Sequence, residues 1–385
     1  MTTSARTLTA ATPLRRTLVL VSAIVCYETV LFMVLAPLLP HLADKFGLSK
    51  AAAGALVASY AAGALLGAVP SGLVAARIGA KATALSGLLV LGLASVGFAL
   101  GQDAAAVFAA RLAQGVGCSL AWTGGFAWLM VQAPKERRGE VIGVALTAAI
   151  AGALLGPAVG ALAGAAGTLP VFVALAAPAL LLAAWGVGIP AGPSEELPSL
   201  GAFARAFSHR RLLGAASLIA LAGFLLGVVS VLAPLHLSRL GWGATGIGAV
   251  FLLSAAVNMV VNPALGKWSD RRRLAPVRFA LVLSTVGSLA LALSTGRWLY
   301  AAIVVAADVV FGLVWTPSTV LLSDAAAERG IGFVVGFAMM NLAWSPGQLI
   351  GSIFGGVIGQ TSSDAVAYVV AAALCLVALA WTRSA

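Results

Sequence analysis

Charged residues are scarce in this chain. Asp, Glu, Lys and Arg make up 9% of its 385 residues, whereas a soluble globular protein carries about 25%. Cysteine is scarce as well. Cys26, Cys118 and Cys375 all fall in apolar stretches, and none is spaced with histidine as a zinc ligand would be. We therefore interpret the cysteines as small packing residues and expect no metal site.

The patterns of enzymes and of ATP-driven pumps are missing. His41, His209 and His236 lie far apart, in loops or at helix ends, so they predict no catalytic pair. No glycine loop is followed by Lys-Ser or Lys-Thr, as a phosphate-binding loop would be. No polar segment is long enough for a nucleotide-binding domain. We expect neither an enzyme nor a cofactor, so uphill transport would have to draw on an ion gradient.

Apolar residues are abundant instead, at 61% of the chain. Twelve apolar windows recur, and each has the roughly 20 residues that a helix needs to cross a bilayer. They cover residues 17–38, 51–76, 80–101, 104–130, 139–165, 168–190, 210–237, 244–268, 275–295, 297–323, 330–359 and 363–382. The long polar break between the sixth and seventh windows predicts a linker. The expected order is a tail (1–16), a six-helix bundle (17–190), a linker (191–209), a second bundle (210–382) and a tail (383–385).

The two predicted halves repeat short motifs in the same order. Val34-Leu-Ala-Pro-Leu38 recurs letter for letter as Val231-Leu-Ala-Pro-Leu235, and Trp122-Thr123 recurs as Trp315-Thr316. The glycines at 152, 156 and 160 return at 347, 351 and 355. Two similar halves in a membrane protein are typical of a transporter with its site between them.

Positive charge is spread over alternate loops. With a cytoplasmic N-terminus, 18 of the 23 Lys and Arg residues face inside. The exceptions are Lys45, Lys50, Arg239 and Arg297 outside and Arg111 within a helix. The positive-inside rule then predicts both termini in the cytoplasm and an inner (plasma) membrane location. Because topology explains the net charge of +11, we expect no nucleic-acid partner. The polar start lacks a signal-peptide pattern, so the first apolar segment should remain as a helix.

Three charged residues lie well inside apolar windows: Glu28, Arg111 and Asp308. Charges inside a bilayer are costly and usually functional. Burial disfavours the charged form of a carboxylic acid, so such a group can exchange a proton near neutral pH and, when ionised, attract a cation. We expect Glu28 and Asp308 to couple protons to substrate. In the alternative, Glu28 and Arg111 form a static ion pair. The residue types leave open whether Arg111 contacts the ligand or has a structural or gating role.

Neutral polar and aromatic residues are candidates for the wall of a central cavity. They are Tyr27, Phe32, Tyr60, Gln114, Trp122, Asn258, Asn262, Trp315, Asn341 and Trp344. Aromatic rings can stack on a lipophilic or cationic ligand. The amides can instead form hydrogen bonds between helices, each worth about 1 kcal/mol, and that alternative stays open.

The loop after the second predicted helix carries a recognisable signature. It reads Gly72-Leu-Val-Ala-Ala-Arg77-Ile-Gly79-Ala-Lys81. It resembles the G-x-x-x-D-R-x-G-R-R motif of the major facilitator superfamily, with Ala76 in place of the acid. The matching loop of the second half, Gly266-Lys-Trp-Ser-Asp270-Arg271, keeps the acid. The resemblance implies a cytoplasmic gate at these residues, with its weight shifted to Asp270.

The fourth and fifth predicted helices carry further motifs of this family. Arg111-Leu-Ala-Gln114-Gly115-Val-Gly117 resembles the R-x-x-Q-G-x-G motif of proton-coupled members, whose Arg is linked to proton transfer. Gly152-x-x-x-Gly156-Pro157-x-x-Gly160-Ala161 is similar to the glycine–proline motif of antiporters, with Ala161 in place of the last Gly. With acids in the first and tenth helices, the chain looks like the vesicular amine transporters of the drug/proton antiporter branch. The resemblance covers the whole chain and implies an all-α major facilitator fold, with 12 transmembrane helices in two pseudo-symmetric six-helix bundles.

The function that this implies is secondary active transport. We expect a proton-coupled antiporter that exports small lipophilic or cationic compounds, such as drugs or amines. It would act as a monomer in the lipid bilayer, with the proton gradient as its energy source. Two alternatives stay open. One is an exporter or importer of a metabolite (an amino acid, a polyamine or a sugar) with the same fold. The other is a non-transporting membrane sensor, which would usually carry a soluble output domain.

Overall fold

The computed structural model describes residues 3–134, 137–192, 210–272, 274–328 and 333–384. Over these ranges the chain forms thirteen α-helices. In chain order they are α1 Thr3–Met33, α2 Leu35–Phe46, α3 Lys50–Ile78, α4 Ala80–Leu100, α5 Ala104–Gln132, α6 Arg138–Ala166, α7 Thr168–Val187, α8 Arg210–Arg239, α9 Ala244–Arg271, α10 Ala275–Leu293, α11 Arg297–Ala327, α12 Phe333–Thr361 and α13 Asp364–Ser384. Most of the predicted linker lies outside the described residues.

The first apolar window forms two helices that meet at Val34. The Val34 N–H still bonds to the Val30 carbonyl at 2.9 Å, so the chain stays helical through the junction. Pro37 has no N–H to offer the Met33 carbonyl, which explains why the regular pattern is interrupted there. Helix α1 begins at Thr3, upstream of the residue at which the apolar window opens.

Eleven units of this chain are long and apolar enough to cross a membrane, with α1 and α2 counted together as Pro13–Phe46. The twelfth unit, α12, has 29 residues but a more polar sequence that includes Asn341, Ser345 and Gln348. The units α1–α2 and α3 to α7 form the N-terminal bundle, and α8 to α13 form the C-terminal bundle. The multi-pass, all-helical prediction is therefore confirmed.

The two bundles share an apolar core at one end of the molecule. There Leu35 of α2 lies in the same buried cluster as Val231 of α8. Toward the opposite end each bundle has its own cluster, around Ile24 and Trp128 in the N-terminal bundle and around Ile219 in the C-terminal one. The bundles are thus joined where α2 ends and α3 begins, which we call the α2–α3 end.

The repeated glycines perform the same packing role in both halves. On α6, Gly152, Gly156 and Gly160 lie against the backbone of α1 and of Val34, so close that an added Cβ would overlap it. On α12, Gly347 and Gly351 lie equally close to the backbone of α8. Glycine is the residue that lets two helix backbones approach this closely. The sequence repeat is therefore a repeat of helix contacts: α6 on α1, and α12 on α8.

Candidate functional site

Glu28 lies at the centre of the N-terminal bundle, where three helices meet. Its side chain on α1 is 5% exposed. The hydroxyl of Tyr60, on α3, donates a hydrogen bond to Oε1. The indole Nε1 of Trp122, on α5, donates to Oε2 at 2.9 Å, and the Thr29 hydroxyl donates to the same oxygen at 3.3 Å. These three donors are neutral, so they orient the carboxylate without cancelling its charge.

Arg111 is buried in the same bundle, with 2% of its surface exposed. Its Nη1 donates to the Leu31 carbonyl and to Oε1 of Gln114, both at 2.9 Å. The Gln114 amide in turn donates to the Ser95 hydroxyl at 3.1 Å, which links α5 to α4. A buried guanidinium therefore has a carbonyl and an amide as its printed hydrogen-bond partners.

Tyr60 lies between the two buried charges. Its hydroxyl bonds to Glu28, while the face of its ring lies 4.6 Å from the guanidinium carbon of Arg111. Among the described residues, no ion pair joins Glu28 to Arg111 directly. The static ion pair of the alternative interpretation is thus replaced by an arrangement in which one aromatic ring contacts both groups. A cation over an aromatic face is favoured by about 2 kcal/mol when it is desolvated.

A close contact between two helices sets the position of Tyr60. Gly115 of α5 lies against the Tyr60 carbonyl, and Gly63 of α3 lies against the Leu112 carbonyl. A side chain at either glycine would push α3 away from α5. The glycine that follows Gln114 in the helix-four motif therefore holds the tyrosine against Arg111.

Aromatic rings extend the site beyond Glu28. The ring of Phe32 lies 5.3 Å from that of Tyr60, and the half-buried ring of Trp122 lies 5.5 Å from that of Phe126. Tyr27, by contrast, belongs to the buried core of the bundle. The arrangement can hold a positively charged, lipophilic group, because the carboxylate supplies the charge and the rings supply apolar and cation–π contact.

The C-terminal bundle has a polar surface between α9 and α11. Asp308, on α11, is half-buried, and the Ser254 hydroxyl on α9 is in reach of its carboxyl group. One turn along, the Asn258 amide lies against Gly312. A further turn along, Thr316 donates to Oδ1 of Asn262 at 3.0 Å. Residues four apart share one helix face, so the two helices carry matching polar stripes, 254–258–262 and 308–312–316.

An aromatic pair lies in the same bundle. Trp315 of α11 and Trp344 of α12 meet edge to face, with ring centroids 4.7 Å apart, and both are half-buried. Asn341 lies on α12 one turn before Trp344 and is also half-buried. The structure thus divides the predicted wall residues into a group near Glu28 and a group near Asp308.

The predicted gate motif of the first half lies between α3 and α4. Gly79 joins these helices with φ of +86°, a backbone conformation that favours glycine. Arg77 is exposed, whereas the Lys81 ammonium donates to the carbonyls of Val187 and Ile189 at 2.8 and 2.6 Å. In this structure Lys81 therefore fastens the end of α7. The backbone of Gly72 lies in α3, that of Gly266 in α9, and the side chains of Asp270 and Arg271 lie outside the described residues.

Pro157 of the helix-five motif lies where the two bundles meet. It interrupts α6 as a proline, and its carbonyl faces Gly248 at the start of α9. The motif thus packs α6 on α1 through its glycines and on the opposite bundle through its proline segment.

Several residues of the site escaped sequence reasoning. Thr29 follows Glu28 directly but resembles any helix threonine in sequence. Ser95 and Ser254 form hydrogen bonds across helices, at positions where a serine has no distinctive spacing. The available signal was depth: each lies near the middle of an apolar window, where a hydroxyl needs a partner.

Comparison with known proteins agrees with this fold. A family model described as the Major Facilitator Superfamily matches residues 20–346. An "MFS-type transporter ppzB" of Metarhizium rileyi is 28% identical over 138 residues, 34% of this chain and 29% of that protein. The "Probable vesicular acetylcholine transporter-B" of Danio rerio is 35% identical over 155 residues, 38% of this chain and 31% of that protein. The matched part of the chain thus spans less than a third of either relative.

Solved structures show the same architecture along nearly the whole chain. A bacterial homolog of the human lysosomal transporter Spinster, in an inward-facing and unoccupied conformation, matches with a TM-score of 0.80 at 14% identity, covering 96% of both chains. The nucleoside transporter NupG matches with a TM-score of 0.74 at 13% identity, covering 97% of this chain and 98% of the other. At these identities the likeness concerns the fold.

Proposed function

Because the chain belongs to the Major Facilitator Superfamily, and is thus a multi-pass membrane transporter rather than an enzyme, we propose that it is a proton-coupled antiporter that exports small lipophilic cations. One observation carries the proposal: the carboxylate of Glu28 is buried among aromatic rings and bonded by neutral donors. A buried negative charge is stabilised by a positive one. A proton and a cationic substrate can each supply it in turn, and their competition for one carboxylate is the coupling step of an antiporter.

The remaining parts of the proposal concern the cycle. The two bundles rock so that the site opens to one side of the inner (plasma) membrane at a time, with both termini in the cytoplasm. Protons entering from outside displace the substrate, and Asp308 acts as the second acid. The chain acts as a monomer, without a cofactor. The 35% identity to a vesicular acetylcholine transporter over 155 residues supports an amine-bearing substrate.

A second candidate is transport of a metabolite rich in hydrogen-bonding groups. The stripe of Asn258, Asn262 and Thr316 favours it, because amide and hydroxyl groups can bind a polar ligand directly. In that case the site near Asp308 would bind the substrate and Glu28 would serve the proton alone.

Reconstitution into liposomes tests the function. The purified protein is exposed to an imposed pH gradient and assayed with matched cationic, neutral and anionic aromatic compounds. We expect concentration of the cation against its own gradient, abolished when a protonophore collapses the pH gradient. Uptake that needs no gradient would identify a facilitator, and preference for a neutral nucleoside or sugar would favour the second candidate.

Asp308 can be separated from Glu28 by exchange assays. In Asp308→Asn the side chain keeps its size and its reach to Ser254 but loses its titratable group. We expect proton-driven transport to fall sharply, while exchange of internal for external substrate continues, because exchange does not require a proton. Asp103→Asn is the matched control: Asp103 caps α5 through the Ala106 N–H at 2.8 Å, and asparagine caps equally well. Equal loss in both assays would show that Asp308 serves the fold or the substrate instead.

A further inference from the structure

The ends of three helices from both bundles meet at the α2–α3 end. The ammonium of Lys50, the first residue of α3, contacts Asp364 Oδ1 at 2.5 Å and the Gly359 carbonyl at 2.9 Å. The Ala51 N–H donates to Oε1 of Gln360 at 3.0 Å. Lys50 and Ala51 belong to the N-terminal bundle, and their three partners belong to the C-terminal bundle. We call these five residues the helix-end latch.

The latch is a reciprocal pair of helix caps. The first N–H groups and the last carbonyls of a helix have no partner within the helix. Gln360, at the end of α12, satisfies a free N–H at the start of α3, and Lys50, at the start of α3, satisfies a free carbonyl at the end of α12. Each helix terminates the other across the boundary between the bundles. Separating the bundles at this end exposes both termini to water at once.

The latch can open without stranding a charge. Asp364 also accepts a hydrogen bond from Nη2 of Arg239 at 2.7 Å and lies 3.4 Å from Nδ1 of His236, and both residues belong to its own bundle. It remains paired when Lys50 leaves. Lys50 is already 24% exposed, so its ammonium reaches water by a short movement. Breaking a buried pair is expensive because one partner is left alone, and this arrangement avoids that penalty.

Backbone packing brings the latch together. Gly54, one turn into α3, lies against the Ser352 carbonyl and the backbone of Gly356 on α12. A side chain at either glycine would hold the helices apart and draw Lys50 away from Asp364. The contact is therefore shaped to close fully.

We propose that the helix-end latch holds the α2–α3 end closed and that it releases, with Lys50 as the moving part, each time the transporter opens there. The proposal rests on the alternating exposure in the proposed function but not on the substrate or the coupling ion. It makes Lys50 and Gln360 the residues that set the balance between the two exposures.

Distance measurement between spin labels tests the latch in the absence of substrate and of a pH gradient. Labels are attached to Gln102→Cys and Gly243→Cys, two exposed positions at the α2–α3 end, one in each bundle. The parent protein carries Ala in place of Cys26, Cys118 and Cys375. In Lys50→Met we expect the ratio of long to short distances to rise on the order of tenfold, the factor typical of losing a hydrogen bond to a charged group. In Gln360→Leu we expect a smaller rise.

Lys45→Met is the matched control. It removes the same charge at the same end, from a lysine that lies 4.8 Å above the Phe46 ring and outside the latch, and we expect the parent distances. The proposal is overturned if Lys50→Met and Gln360→Leu both keep the parent distribution. It is also overturned if Lys45→Met shifts it as much as Lys50→Met does. A protein that exports no cation can still pass this test, so the latch and the proposed function fail separately.

Discussion

Glu28→Gln is expected to reduce transport driven by a pH gradient to the level of protein-free liposomes. Glutamine has the size of glutamate and can still accept hydrogen bonds from Tyr60 and Trp122 through its amide oxygen. It cannot carry a negative charge or exchange a proton. The protein should therefore fold, while the site loses both its attraction for a cation and its coupling to protons. Counterflow in liposomes and thermal melting of the purified variant measure the two effects separately.

Glu140→Gln provides the control for Glu28→Gln. Glu140 is an exposed acid at the start of α6 that pairs with exposed Arg137 at 2.9 Å, and exposed pairs contribute about 0 to 1 kcal/mol. We expect its removal to change neither transport nor melting. Undiminished pH-driven transport by Glu28→Gln would rule out the proposed mechanism. A variant that binds the cation as tightly as the parent but no longer responds to pH would assign Glu28 to the proton alone.

Gly115→Val is expected to have the largest effect on folding. A Cβ at position 115 would overlap the Tyr60 carbonyl, and the obstacle is backbone, which cannot rotate away. Overpacking a core commonly costs about 1 to 3 kcal/mol and more where nothing can yield, so we expect a loss of about 3 kcal/mol or more. The yield of monodisperse protein in gel filtration and its melting temperature measure the loss.

Gly143→Val isolates the packing effect from helix propensity. Gly143 also lies inside a membrane helix, α6, but an added Cβ would meet open space there. We expect nearly parental yield and melting temperature, because only the weak propensity difference remains. Equal behaviour of the two variants would show that α3 and α5 can separate at Gly115 without loss, and that Tyr60 is not held by this contact.

The sequence predicts the helices well because a bilayer imposes one length and one composition on every span. It does not predict the junction at Val34, since the apolar window runs through it without a break. Pro37 is visible in the sequence, yet prolines also lie inside continuous helices here, Pro157 in α6 among them. Whether a proline interrupts a helix depends on how neighbouring helices satisfy the carbonyl that it frees, and a single sequence does not contain that information.

The candidate site was predictable in its members but not in its arrangement. Glu28, Arg111 and Tyr60 stand out because charge and aromatic hydroxyls are rare in apolar helices. That Tyr60 lies between the two charges follows from the contact of Gly63 with α5, which joins segments distant in sequence. The latch was missed for a related reason. Lys50 and Asp364 lie at helix ends, where a charge is normally solvated, and nothing in the sequence marks the two ends as neighbours.

The placement of Arg111 near Glu28 has a consequence for the response to membrane voltage. With Glu28 ionised, the guanidinium and the carboxylate make the empty N-terminal bundle neutral at its centre. Binding one proton or one monovalent cation adds the same single positive charge. Carrying one elementary charge across the membrane is worth about 2.3 kcal/mol per 100 mV, and that work is equal for both loaded forms. Exchange of one proton for one such cation at Glu28 is therefore electroneutral, driven by the difference in pH and indifferent to voltage.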